Sequence, residues 1–111
     1  MAAIPLNLTI EQGADFQINL TVRNKDGTPL NLLGYTASSN LRKHHTSTTT
    51  YPFILTFVDR INGRISLEMS DAVTATLTEG RYVYDIFIES SNGKKTKVVY
   101  GMALVSPGVS F

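Results

Sequence analysis

The sequence has no cysteine and no tryptophan. No disulfide can staple the chain, and the Cys–Trp–Cys core of antibody-type domains is excluded. An excess of charge of one sign is also missing. Ten Lys and Arg stand against nine Asp and Glu, for a net charge of +1. Nothing in that balance points to nucleic acid or to an acidic substrate. No apolar stretch approaches the roughly 20 residues of a membrane helix. The start, Met1-Ala2-Ala3-Ile4-Pro5, has neither the basic segment nor the apolar run of a signal peptide. A soluble protein made in a cytoplasm is expected. The motifs of several chemistries are absent as well: Gly-x-Ser-x-Gly, Gly-x-Gly-x-x-Gly and the lysine-bearing phosphate loop. No carboxylate pair has a recognisable acid/base spacing. No enzyme, catalytic residue or cofactor is expected.

What is present is short-range alternation. A chain of 111 residues fits one domain, 1–111, able to bury a core without metal or disulfide. Leu6, Leu8 and Ile10 alternate with Asn7 and Thr9. Phe16, Ile18, Leu20 and Val22 alternate with polar partners, the cleanest half-buried strand pattern in the chain. Thr36 to Lys43 is a weaker, more polar strand, expected near an edge. Phe53, Leu55 and Phe57 form the next strand, and Ile65, Leu67 and Met69 its hairpin partner. Ser70 is placed to cap a short helical turn through Leu77, with Asp71 in its first turn. Residues 44–50, His44-His45-Thr46-Ser47-Thr48-Thr49-Thr50, carry no core residue and read as a mobile loop. Pro107 and Gly108 end the last strand, leaving residues 106–111 as a C-terminal tail.

Three turns share one device: Lys25-Asp26-Gly27, Ile61-Asn62-Gly63 and Ser91-Asn92-Gly93. A two-residue turn at Asn92-Gly93 would put Tyr100 and Met102 on the outer face. A three-residue loop pairs Ile86 with Val98, Tyr84 with Tyr100 and Tyr82 with Met102, so the apolar sets meet. The same choice pairs Val22 with Leu30, Leu20 with Leu32 and Phe57 with Leu67. Gly27, Gly63 and Gly93 are therefore expected at positive φ. Gly80 precedes a long strand in which Tyr82, Tyr84, Ile86 and Ile88 share one face. Tyr82 is placed as a tyrosine corner, its hydroxyl bonded to backbone before Leu77. Seven to eight strands at this spacing, with one short crossover helix, predict an all-β immunoglobulin-like Greek-key sandwich.

Candidate sites are few. His44 and His45 are adjacent, so their side chains diverge on an extended chain, and no metal site is expected. Asp59, Asp71 and Asp85 lack calcium-loop spacing. Lys94, Lys95 and Lys97 form a small basic cluster that edge protection explains. Asn7-Leu8-Thr9 and Asn19-Leu20-Thr21 match the glycosylation sequon but read as outward polar positions on strands. One apolar set falls opposite the expected core face: Val83 and Phe87, then Val99, Ala103 and Val105. Either the opposite sheet or the tail to Phe111 covers it, or it is a protein–protein interface.

Several segments together resemble a family. Leu8-Thr9-Ile10-Glu11-Gln12-Gly13 resembles its opening. Asp26-Gly27-Thr28-Pro29-Leu30-Asn31-Leu32-Leu33-Gly34-Tyr35-Thr36 resembles its middle, with Asn31 and Leu33 as departures. Gly80-Arg81-Tyr82-Val83-Tyr84-Asp85, Gly101 and Val105-Ser106-Pro107-Gly108-Val109-Ser110 resemble its end, with Gly108 as a departure. The family is the immunoglobulin-like virion proteins and modules of tailed bacteriophages, including N-terminal modules of baseplate proteins. The resemblance implies a non-catalytic structural role in a tail or baseplate. It implies virion proteins as partners, self-association in symmetric rings, and a place in the virion. No nucleic acid, membrane or small-molecule ligand is implied. The alternative is a carbohydrate-binding sandwich, for which Tyr51 beside Pro52 is the one loop aromatic of note. A third reading is an adhesive repeat from a larger chain.

Overall fold

The structure, a computed structural model, describes residues 4–24, 26–44 and 49–107. The strands are β1 (Ile4–Pro5), β2 (Leu8–Glu11), β3 (Phe16–Thr21), β4 (Thr36–Arg42), β5 (Tyr51–Pro52), β6 (Ile54–Asp59), β7 (Arg64–Met69), β8 (Gly80–Glu89) and β9 (Lys95–Ser106). The helix α1 is a single turn, Asp71–Thr74. One sheet has the order β1-β9-β8-β4-β5, with β2 also paired to β9; the other is β3-β7-β6. The chain crosses between sheets after β2, β3, β5 and β7. That connectivity is the Greek key of an immunoglobulin-like sandwich. The expected edge strand β4 is covered on its outer side by β5 at Asn40 and Leu41, and by Phe53 N–H on the Ser39 carbonyl at 3.1 Å.

The core lies between the sheets. Ile10, Leu32, Leu41, Ile65, Leu67 and Ile86 are fully buried in it. Phe53 meets Phe16 at 5.9 Å and Tyr84 at 6.1 Å between ring centroids. β1 and β2 run parallel to β9 in one register, interrupted at Leu6-Asn7. Asn7 and Asn19 are exposed, as outward strand positions should be.

The turns differ from one another. At Gly27 (φ +90°) and Gly93 (φ +89°), two backbone bonds close each loop: Asn24 N–H to the Thr28 carbonyl with Gly27 N–H to the Asn24 carbonyl, and Ser90 N–H to the Lys94 carbonyl with Gly93 N–H to the Ser90 carbonyl. Leu30 N–H donates to the Val22 carbonyl at 2.9 Å, as the expected register requires. Leu20 does not pair with Leu32; it lies opposite Ile65. Arg60 explains why. Its carbonyl accepts Leu32 N–H, and its guanidinium donates to the Tyr35 carbonyl at 2.8 Å. The Leu32–Tyr35 segment is thus held to the β6–β7 loop. Phe57 lies opposite Ile65, not Leu67, and a bulge follows it. Gly63 (φ +69°) sits under β3, its carbonyl accepting Val22 N–H at 2.8 Å, and this fixes the hairpin end.

Ser70 stands at the helix N-cap but makes no side-chain cap bond. Asp15, from the β2–β3 loop, accepts Asp71 N–H instead at 2.8 Å. The helix stops at Thr74, short of Leu77, and Thr74 is buried with its hydroxyl on the Ala14 carbonyl. Tyr82 is buried, and its hydroxyl donates to the Thr78 carbonyl at 2.9 Å. The acceptor is four residues upstream, after Leu77 rather than before it.

The β8–β9 hairpin holds the main correction. Near the Gly93 turn, Ile88 lies opposite Thr96 and Phe87 opposite Lys97. The register then shifts between Ile86 and Phe87, leaving Val98 as the extra residue of a bulge. The expected pairs Ile86–Val98, Tyr84–Tyr100 and Tyr82–Met102 do not form. Ile86 faces Val99, Tyr84 faces Gly101 and Tyr82 faces Ala103. Val98 and Val99 are both buried. Opposing two tyrosines with a glycine and an alanine fits their volume between the sheets, whereas tyrosine and methionine there would overfill it. Val99, Ala103 and Val105 therefore belong to the core and not to an outer interface. Ser106 ends β9 rather than opening a tail, and residues 108–111 lie outside the described residues.

Candidate interaction face

After the bulge, alternation sends Tyr100, Met102 and Leu104 outward. They are 44%, 46% and 49% exposed. On β8 the outward set is Arg81, Val83, Asp85, Phe87 and Glu89, alternating with the buried tyrosines and isoleucines. On β4 it is Ser38, Asn40 and Arg42. The ladders align these side chains: Arg42, Val83 and Met102 in one row, Asn40, Asp85 and Tyr100 in the next. Val83 and Phe87 thus lie on the outer face, as their alternation requires, and both are half-buried.

The face is concave. Pro5 and Asn7, the β4 residues, and Val83, Phe87, Tyr100 and Met102 line a hollow of about 540 Å³. Asn7 completes its wall by accepting Met102 N–H through Oδ1 at 3.2 Å. Where Leu6 crosses Gly101, the Leu6 carbonyl turns inward and accepts the Tyr84 hydroxyl at 2.6 Å. Burial pushes the Tyr84 phenol up to about 12. Burial also raises Tyr82, against the Thr78 hydrogen bonds that lower it.

The polar groups of the face form a partial rim. Lys97 Nζ lies 3.7 Å from Asp85 and 5.5 Å from the centre of the Phe87 ring. Lys95 Nζ is 3.9 Å from Glu89. Two members of the Lys94, Lys95 and Lys97 cluster are therefore paired to carboxylates on the neighbouring strand.

The remaining candidates do not converge. Asp59 caps its own loop, with Oδ2 accepting Asn62 at 2.7 Å, a bond that holds its pKa below the usual value. Asp71 is in the helix and Asp85 on the outer face. Among the described residues, no group of three His, Asp or Glu side chains is arranged to hold a metal ion. His44 is exposed at the end of β4, and His45 lies outside the described residues. Tyr51 is half-buried and packs edge-on against Tyr82 at 6.2 Å, so it is no free platform at a loop tip.

Tyr100, Met102 and Leu104 were missed because strict alternation was carried through Val98. The signal was the Val98-Val99 doublet, followed by Gly101 and Ala103 two residues apart.

Fold and face together define an all-β sandwich whose larger sheet presents an apolar, concave outer surface. No protein-family model matches the sequence, and no curated protein matches it. Among solved structures, the chain is similar to the N-terminal domain of phage TP901-1 ORF48. The TM-score is 0.60 at 16% identity, over 89% of this chain and 83% of that one. At that identity the likeness establishes a shared fold.

Proposed function

We propose that the chain is a non-catalytic structural protein, or a module of one, in the tail or baseplate of a bacteriophage virion. It works by protein–protein assembly. The observation that carries this reading is the outer face of the β4–β8–β9 sheet, where Val83, Phe87, Tyr100, Met102 and Leu104 stand together in place of polar residues. The shared fold with a phage domain supports the setting. A stable interface buries about 800 Å² per partner, so these side chains form its centre. The Lys97–Asp85 and Lys95–Glu89 pairs then supply a polar rim. Virion rings are symmetric, so self-association through another surface, as well as a different partner on this face, belongs to the proposal.

Phe87 is the largest purely apolar group of the face and its best single anchor. Phe87→Asp should leave the domain folded, because the side chain points away from the core. It should abolish assembly, because a carboxylate in a dry contact has no partner. The test is complementation of the encoding phage with tagged chain, followed by purification of the particles. Wild-type chain should be found in the tails and the variant should not. Equal incorporation of the two would refute the proposal.

A further inference from the structure

We propose that this concave face receives an acidic, apolar-bearing segment of a different protein, with Arg42 and Arg81 holding its carboxylates. The inference rests on the assembly reading and adds the chemistry of the partner. The face carries four cations, Arg42, Arg81, Lys95 and Lys97, and three carboxylates, Glu11, Asp85 and Glu89. Asp85 and Glu89 are already engaged, by Lys97 and Lys95. Among the described residues, no carboxylate pairs with either arginine.

Their placement is not scattered. Arg42 stands opposite Val83 in the β4–β8 ladder. Arg81 is the preceding outward residue of β8 and lies opposite Leu104. The two guanidinium groups therefore flank one end of the apolar floor, and the neutralised pairs flank the other. A guanidinium presents a planar fork that matches a carboxylate. Burying it against apolar surface without an acid would leave a charge unpaired.

That asymmetry selects among occupants. A second copy laid on this face would bring its own cationic excess, and like charges in apposition are unfavourable. A protein segment with one bulky apolar side chain for the Phe87–Tyr100–Met102 floor and carboxylates beyond it satisfies both halves of the site.

The test pans a random-peptide display library against the immobilised chain. The selected sequence is then resynthesised in its native form and with every Asp and Glu replaced by the amide. Fluorescence anisotropy is recorded for each at low and physiological salt. Selected peptides should place Asp or Glu beside an aromatic or aliphatic residue. The amide form should bind at least tenfold more weakly, and Arg42→Gln with Arg81→Gln should erase that preference. Neutral or basic selectants, no selectant, or unchanged preference in the arginine variant would overturn the inference. So would wild-type self-association in sedimentation that Phe87→Asp abolishes, which assigns the face to a second copy, or uptake by anionic vesicles in its place. Failure of the assembly reading shows separately, as Phe87→Asp chain entering particles like wild type.

Discussion

Gly101→Ala tests how the edge of the larger sheet is built. A Cβ at Gly101 would lie 2.1 Å from the Leu6 carbonyl oxygen and 2.8 Å from the Leu6 carbonyl carbon. Those atoms are backbone, so no rotamer change relieves the clash. Ordinary contact begins at 3.4 Å, so the β1–β2 crossing must retreat by more than an ångström. It cannot retreat freely. Leu6 N–H donates to the Tyr100 carbonyl at 2.9 Å, and the Leu6 carbonyl accepts the Tyr84 hydroxyl at 2.6 Å. Overpacking of this kind costs about 1–3 kcal/mol. A buried hydroxyl left without its acceptor costs about 1–3 kcal/mol more.

The expected loss is therefore about 2–6 kcal/mol, a large part of the stability of a domain this size. Calorimetry should show Tm falling by at least roughly 8 °C, at about 4–8 °C per kcal/mol. Tyr84→Phe removes the same hydrogen bond without the clash. The double variant should therefore be less destabilised than the sum of the singles, because both lose one shared contact. A Gly101→Ala protein within about 0.5 kcal/mol of wild type, the range of an inert surface change, would refute the geometry at Leu6. Strict additivity would refute the link to Tyr84.

Three further outcomes follow from the same packing. Tyr84 titrates from 10.0 when unfolded and is pushed up to about 12 when folded, so the folded chain keeps its proton where the unfolded chain loses it. Stability should be full below pH 10 and fall as pH rises through 12, by about 2–3 kcal/mol in all; urea titrations across that range check it, and Tyr84→Phe should flatten the fall. Gly63→Ala should cost clearly more than Gly93→Ala. Both glycines have positive φ, but a Cβ at Gly63 meets the Val22 and Leu30 carbonyl oxygens at 2.5 and 2.7 Å, while one at Gly93 meets nothing within 4 Å. Gly93→Ala should cost about 1–2 kcal/mol, the left-handed penalty alone, as measured by urea midpoints. Thr74→Val should cost about 1–2 kcal/mol in the same assay, since it strips the Ala14 carbonyl of a buried donor.

The sandwich was legible because its strands are amphipathic and its turns are marked by Asp-Gly and Asn-Gly. What was not legible is where strict alternation breaks. Parity is a strong constraint only while each strand keeps one phase, and a bulge changes that phase at the cost of a single unpaired residue. In β9 the change falls between Lys97 and Val99, immediately past the last position that keeps the register set by the turn. From the turn alone, Tyr100 and Met102 belong inside, since they are the larger apolar groups. From the packing alone, they belong outside, because Tyr82 and Tyr84 already fill the space opposite Ala103 and Gly101. Volume prevailed over hydrophobicity, as it must in an interior packed near crystal density. The outer face gained its aromatic and thioether side chains by the same step. The core phase therefore fixes which positions of β9 face out, but not that they are apolar: Tyr100, Met102 and Leu104 face out because Gly101, Ala103 and Val105 must face in. Solubility alone would be served by threonine or lysine at those three outward positions, which carry no packing constraint from the core. That they are tyrosine, methionine and leucine is what makes assembly the reading to test first.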